Sequence, residues 1–263
     1  MSNSLLYAVA NHVALITLNR PERMNAWTRE MGTAYFDALD RANADPQVRV
    51  IVVTGAGRGF CPGADMDLLQ NLSTGSQQLA QETRDAAHPT KINKPVIAAI
   101  NGACAGLGMA VALACDLRFA AAGAKFTTAF SRRGLIAEHG LSWTLPRLVG
   151  QSVAMDLLLS ARVFEAAEAK ELGVVNQVFS ADELMAKTMA YAHELSSKVC
   201  PTSMAIIKRQ VLRHGGLALK EAMAESMTLM QASVKRPDFK EGVASYLEKR
   251  DPHFGPVISE LGI

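Results

Sequence analysis

Glu138 and His139 stand side by side in RGLIAEHGLSW, residues 133–143, a stretch otherwise mostly apolar or glycine, with no further arginine or lysine before Arg147. A carboxylate serves as a general base when ionised, and an imidazole titrates close to neutrality. Read alone, Glu138 is either a solvated loop acid or a tuned catalytic group. The apolar flanks Leu135, Ile136, Leu141 and Trp143 would hold it away from water if they bury it. His139 reads first as a hydrogen-bonded wall residue and only second as a proton-transfer group. The four cysteines, Cys61, Cys104, Cys115 and Cys200, form no C-x-x-C pair. Cys61 and Cys104 read as small packing residues with no histidine in sequence reach, and reduced thiols fit a cytoplasmic protein.

Two other stretches carry chemistry through the backbone. VRVIVVTG is followed by the glycine-rich AGRGFCPG and then by ADMDLLQ; PVIAAI is followed by NGACAGLG and then by MAVALA. Both read as buried strand, glycine-rich turn, helix start. A helix N-terminus offers unpaired N–H groups and the positive end of a dipole. Two such ends facing one another would grip one negative oxygen, which is the geometry of an oxyanion hole. The bland alternative is close helix–strand packing. Neither loop fits a nucleotide fingerprint: TGAGRGF lacks the Lys-Ser or Lys-Thr of a P-loop, and GLGMAV has Val111 where a third small residue belongs.

The elements that must position these groups follow from periodicity. LLYAV and VALITL flank ANH as a hairpin, and Thr28 is a helix N-cap for a helix through about Asp40. VRVIVVTG, PVIAAI and CDLRFAA are strands, the first buried on both faces. Residues 71–91 have no clear periodicity and read as a mobile surface segment. From Ser142 the pattern turns helical, with one strand at GVVNQVF and amphipathic stretches near 182–198, 201–214, 217–234 and 237–250. The chain therefore reads as an α/β unit over about 1–200, with a helical region over 201–263 whose apolar faces exceed what the core covers. With 263 residues, 49% hydrophobic and 20% charged, a sizeable core is available and global disorder is excluded. A net charge of +2 gives no electrostatic footprint for nucleic acid or membrane, and no transmembrane segment or signal peptide is read.

The motifs LNRPERMNA, GFCPGADM, INGACAGLGMAVALACDLRFA, LPRLVG, ARVFEAAEAKELGVVNQV and EGVASYLEKRDPHF together resemble the crotonase superfamily, also called the enoyl-CoA hydratase/isomerase family. The resemblance covers nearly the whole chain. It implies a spiral of ββα units with a helical C-terminal trimerisation region, giving a homotrimer or a dimer of trimers. It also implies an acyl-CoA substrate, an enolate held by the N–H groups of Ala64 and Leu107, and neither cofactor nor metal, coenzyme A being part of the substrate. The implied CoA-binding positions are Arg23, Asn25, Ala26, Ala64, Asp65, Met66, Lys249 and Phe254, the last two often reaching a neighbouring subunit's ligand. Asp65 also reads as a helix cap.

Family hydratases resemble one another in carrying two glutamates around the active-site water, and the matching positions here are Ala110 and Phe130. A third acid position, four residues after Gly134, is a glutamate in peroxisomal-type enoyl-CoA isomerases and an aspartate in a ring-opening epoxide isomerase and an aryl-CoA dehalogenase. Here it is Glu138. The resemblance therefore implies double-bond isomerisation with Glu138 as proton shuttle. A hydratase with an atypical single acid and a non-catalytic acyl-CoA-binding protein are the alternatives.

Overall fold

The computed structural model describes residues 4–76 and 84–257. Its first elements are the antiparallel hairpin β1 (Leu5–Ala10) and β2 (Val13–Leu18). Asn11 and His12 between them have φ of 49° and 64°, the left-handed pair that a two-residue turn matched to strand twist requires. Helix α1 (Arg29–Ala44) starts where Thr28 accepts a hydrogen bond from the Met31 N–H at 3.2 Å, and it runs one turn beyond the expected end.

Three strand–strand–helix turns then wind one on another. The first is β3 (Val50–Gly55), β4 (Gly59–Cys61) and α2 (Met66–Ser73). The second is β5 (Val96–Ile100), β6 (Ala103–Ala105) and α3 (Leu107–Ala114). The third is β7 (Leu117–Ala121), β8 (Lys125–Thr127), then α4 (Leu141–Val149) and α5 (Gln151–Ser160). The chain returns through β9 (Phe164–Glu165), α6 (Ala166–Glu171) and β10 (Gln177–Phe179). Each turn gives one strand to each of two sheets. The larger has the order β1-β2-β3-β5-β7-β10 and is parallel from β2 onward; the smaller has the order β4-β6-β8-β9, with only β9 antiparallel. This is the expected spiral of ββα units.

The larger sheet is covered on both faces, and its sequence shows why. In β3, Ile51 and Val53 join the core that includes α1, α3 and the smaller sheet, while Val50 and Val52 point the other way. That second face packs against α7 (Leu184–Lys198) through Leu184 and Ala192 and against Met204 of α8 (Pro201–His214). A strand buried on both faces has no polar alternation, hence the continuous β-branched run. Helices α9 (Leu219–Ser233) and α10 (Pro237–Glu248) complete the described chain. Lys208 of α8 ties this region to the spiral. Its buried ammonium donates to Asp116 Oδ2 at 2.7 Å and to the carbonyls of Pro89 and Lys94 at 2.8 and 3.1 Å.

The segment 71–91 departs from expectation. Its first residues belong to α2, and at its far end Ala86, His88 and Pro89 are buried. His88 Nε2 lies 2.6 Å from Asp40, and Arg84 pairs with Asp37 and Asp40 at 2.7 and 3.1 Å. Those side chains pin 84–91 to α1, so that part is packed structure. Residues 77–83 lie outside the described residues.

Candidate active site

The smaller sheet is what brings the two glycine loops together. Strands β4 and β6 are parallel neighbours, with Cys61 opposite Cys104, so their C-terminal ends lie side by side. Pro62-Gly63-Ala64 leaves one end and Gly106-Leu107 leaves the other. Gly106 is the N-cap of α3 with φ 51° and ψ −120°, a backbone state in which a Cβ is strained. The two loops are in contact: a Cβ on Gly63 would stand 3.2 Å from the Ala105 carbonyl oxygen, and one on Gly106 would stand 3.9 Å from the Gly63 Cα.

Two backbone donors remain unused here. Trp27 forms a parallel bridge with Ala64, its N–H donating to the Gly63 carbonyl at 2.8 Å and its carbonyl accepting from the Asp65 N–H at 2.9 Å. In such a bridge the flanking groups bond the partner and the central residue's own N–H points away. The Ala64 N–H accordingly has no acceptor among the described residues. Leu107 is the first residue of α3, and its N–H is likewise one of the orphan donors of a helix start.

Both residues line one cavity of about 370 Å³. Its wall holds Arg23 and Ala26 from one loop, Asp65, Met66 and Leu69 around the start of α2, and Phe130, Arg133, Leu135, Glu138 and His139 from the loop before α4. Of the sequence-derived positions, Glu138, Ala64, Leu107, Arg23, Ala26, Asp65 and Met66 therefore meet in one place. Phe130 is buried in that wall and Ala110 is buried within α3, and neither side chain carries a carboxyl group.

Three positions are not brought there. Asn25 is fully buried, and its side chain is spent inside the loop. Nδ2 donates to the carbonyls of Ala56 and Gly59 at 2.9 and 2.8 Å, and Oδ1 accepts from the Arg20 N–H at 2.8 Å. Lys249 caps the C-terminus of α10, and Phe254 lines a separate cavity of about 290 Å³ between the starts of α8 and α10. The Phe254 carbonyl accepts from Arg49 Nη2 at 2.6 Å.

Arg20, which sequence reasoning passed over, organises the loops. Its Nη1 donates to the Ala26 carbonyl at 2.6 Å and to Asp65 Oδ2 at 2.8 Å. Asp65 Oδ1 accepts from the Asp67 N–H at 3.1 Å and so caps α2. Burial pushes the Asp65 carboxyl up, but the Arg20 hydrogen bond, the Asp67 N–H and the charges of Arg20 and Arg23 outweigh it and hold the group below its ordinary value. The only hint in the sequence was a second arginine in NRPER.

Glu138 and His139 have side chains 35% and 33% exposed, with His139 Nε2 3.6 Å from Glu138 Oε2, beyond hydrogen-bond length. Of the four flanks expected to shield Glu138, only Leu141 is buried; Ile136 is 78% exposed, and Leu135 and Trp143 are also open. The shielding expected of them is therefore only partly formed: Leu135 lines the cavity, while Ile136 and Trp143 are exposed. His139 has φ 54°, a left-handed state that costs about 1–3 kcal/mol for a residue with a Cβ. Burial pushes its imidazole below the ordinary value of 6.5, against the pull of the Glu138 and Asp85 carboxylates. Among the described residues no group of His, Cys, Asp and Glu side chains could hold a metal ion, and no helix is long and apolar enough to cross a membrane.

The chain as a whole has counterparts among known proteins. The family model for enoyl-CoA hydratase/isomerase matches residues 8–256. The chain belongs to the enoyl-CoA hydratase/isomerase family, within the crotonase superfamily. It is 34% identical to the 1,2-epoxyphenylacetyl-CoA isomerase of Escherichia coli (strain K12), over 97% of this chain and 99% of that one. It is 35% identical to the (E)-benzylidenesuccinyl-CoA hydratase of Thauera aromatica, over 94% and 96%. A solved structure, described as a probable enoyl-CoA hydratase/isomerase from Mycobacterium abscessus, superposes with a TM-score of 0.89 at 31% identity, covering 96% of this chain and 98% of that one. The protein is thus a crotonase-family enzyme.

Proposed function

We propose that this enzyme isomerises the double bond of an enoyl-CoA, with Glu138 carrying the proton between C2 and C4. One observation carries the reading. Two carboxylates stand in the cavity wall; Asp65 is committed to Arg20 and the cap of α2, which leaves Glu138 as the uncommitted acid in the cavity that Ala64 and Leu107 also line. Glu138 removes a proton from C2, and the electron pair moves into the thioester carbonyl. The resulting oxygen anion accepts hydrogen bonds from the Ala64 and Leu107 N–H groups. The proton then returns from Glu138 to C4, so one group suffices. Relatives support the thioester substrate, and the E. coli relative's name is that of an isomerase.

The CoA moiety lies along Arg23, Ala26, Ala64, Asp65 and Met66, with Asn25 fixing the loop from beneath. Lys249 and Phe254 serve the site of a neighbouring subunit in a homotrimer, single or doubled, built on helices α8, α9 and α10. The Thauera aromatica relative's name favours a second reading, hydration by one acid. Steady-state assays with 3-enoyl-CoA and 2-enoyl-CoA substrates separate the readings. An isomerase converts the first to 2-enoyl-CoA without adding water, a hydratase adds water to the second, and a pure binder turns over neither.

A further inference from the structure

We infer that His139 is a positioning residue that relays the proton between Glu138 and solvent, so that the proton delivered to C4 need not be the one removed from C2. The inference rests on Glu138 being the base.

Four observations meet at this side chain. It shares the cavity wall with Glu138, and its Nε2 is 3.6 Å from the Glu138 carboxylate, so a small rotation closes a hydrogen bond. Neither ring nitrogen has a hydrogen bond among the described residues, so the imidazole is not the hydrogen-bonded wall residue that its sequence context suggests. Its ring lies against Phe130, with centroids 6.4 Å apart, beside the position where family hydratases carry an acid and this chain does not. Its backbone holds φ 54°, a left-handed state, in the segment between β8 and α4 where Ala129, Gly134 and Gly140 are left-handed too. That strained backbone fixes the imidazole in the cavity wall. Burial favours its neutral form, which can accept a proton.

The step balances without any other reactant. The O–H bond formed on Glu138 when C2 is deprotonated breaks, and an N–H bond forms on His139 Nε2. The imidazolium releases its proton to water through its exposed edge. The reverse path returns a solvent proton to Glu138 and then to C4. The Glu138 carboxylate and, from the segment before residue 88, Asp85 stabilise the transient imidazolium.

The test is isomerisation of a 3-enoyl-CoA in D2O, with the deuterium in the product counted per turnover by mass spectrometry. Asparagine tolerates the left-handed backbone and does not titrate, so His139→Asn keeps the loop. The wild type incorporates solvent deuterium; in His139→Asn the deuterium per turnover falls about tenfold, while turnover itself falls less. In His139→Gly, which relieves the backbone, added imidazole restores incorporation. An unchanged deuterium-to-turnover ratio in His139→Asn overturns the relay. If Glu138→Gln leaves both turnover and incorporation intact, the base assignment itself has failed, and the two failures are told apart.

Discussion

Ala64 and Asp65 are adjacent in sequence and opposite in state: one keeps a free backbone donor, the other has a fully committed carboxylate. Replacing Ala64 by proline removes that donor and breaks no existing hydrogen bond, because the bridge to Trp27 uses the Gly63 carbonyl and the Asp65 N–H. Losing one oxyanion donor costs about 2.7–4 kcal/mol of barrier. Ala64→Pro should therefore lower turnover by about a hundred- to a thousandfold, with an unchanged circular-dichroism spectrum. Near-wild-type turnover in a folded variant would place the donor elsewhere. Asp65 predicts a pH effect. Its folded-state value lies below the ordinary 3.8, so as pH falls the unfolded chain takes up the proton first. The stability it contributes is full above 3.8 and is lost as pH drops through the folded-state value. Asp65→Asn should be less stable than wild type at neutral pH by thermal denaturation, and the gap should close in acid. A gap that widened would reverse the assignment. Residue types singled out the two glycine loops and left Glu138 open, the family resemblance implied Ala64, Leu107 and the role of Glu138, and neither gave the direction of side chains. Asn25 looks like a ligand contact in LNRPERMNA and turns out to be a buried brace, a difference that only the packed loop decides.

The larger sheet was legible because strands buried on both faces must be runs of β-branched and small apolar residues, as in VIVVTG and VIAAI. The smaller sheet was not, since β4, β6, β8 and β9 are two or three residues long, and β4 and β6 sit among glycines. Local signal that short cannot outweigh the turn signal around it; those strands form because the spiral stacks them. Yet this sheet places the chemistry. One of its tight contacts is where α3 meets β4: a Cβ on Gly108 would lie 2.1 Å from the Cys61 carbonyl oxygen. Gly108→Ala raises intrinsic helix propensity by about 1 kcal/mol, but it forces α3 off β4 and carries the Leu107 N–H with it. A displacement of about 1 Å costs on the order of a hundredfold in rate. Lower thermal stability and a turnover loss of that size are expected. A more stable and fully active variant would show that the contact is not tight.

At the scale of the molecule, the C-terminal helices expose Ile207 and Val211 on α8, Leu219, Met223, Met227 and Met230 on α9, and Phe239, Tyr246 and Leu247 on α10. The amphipathic pattern announced these faces, but not which surface covers them, since a single chain carries no record of its neighbours. These are the faces that the proposed trimer would bury. Light scattering at micromolar concentration should give about three times the 28.2 kDa chain mass, or twice that again; a 28.2 kDa particle would remove the trimer from the account.

The central claim is that Glu138 moves the proton. Glutamine keeps its shape and hydrogen bonding but cannot act as a carboxylate base. The direct test is turnover of the best 3-enoyl-CoA by Glu138→Gln, with the dissociation constant of a saturated acyl-CoA measured in parallel. A positioned base contributes about 10²–10⁴ in rate, so turnover should fall at least into that range while the dissociation constant changes little, the oxyanion donors and CoA contacts being untouched. Full isomerase activity in Glu138→Gln would contradict the account and leave Glu138 as a loop residue.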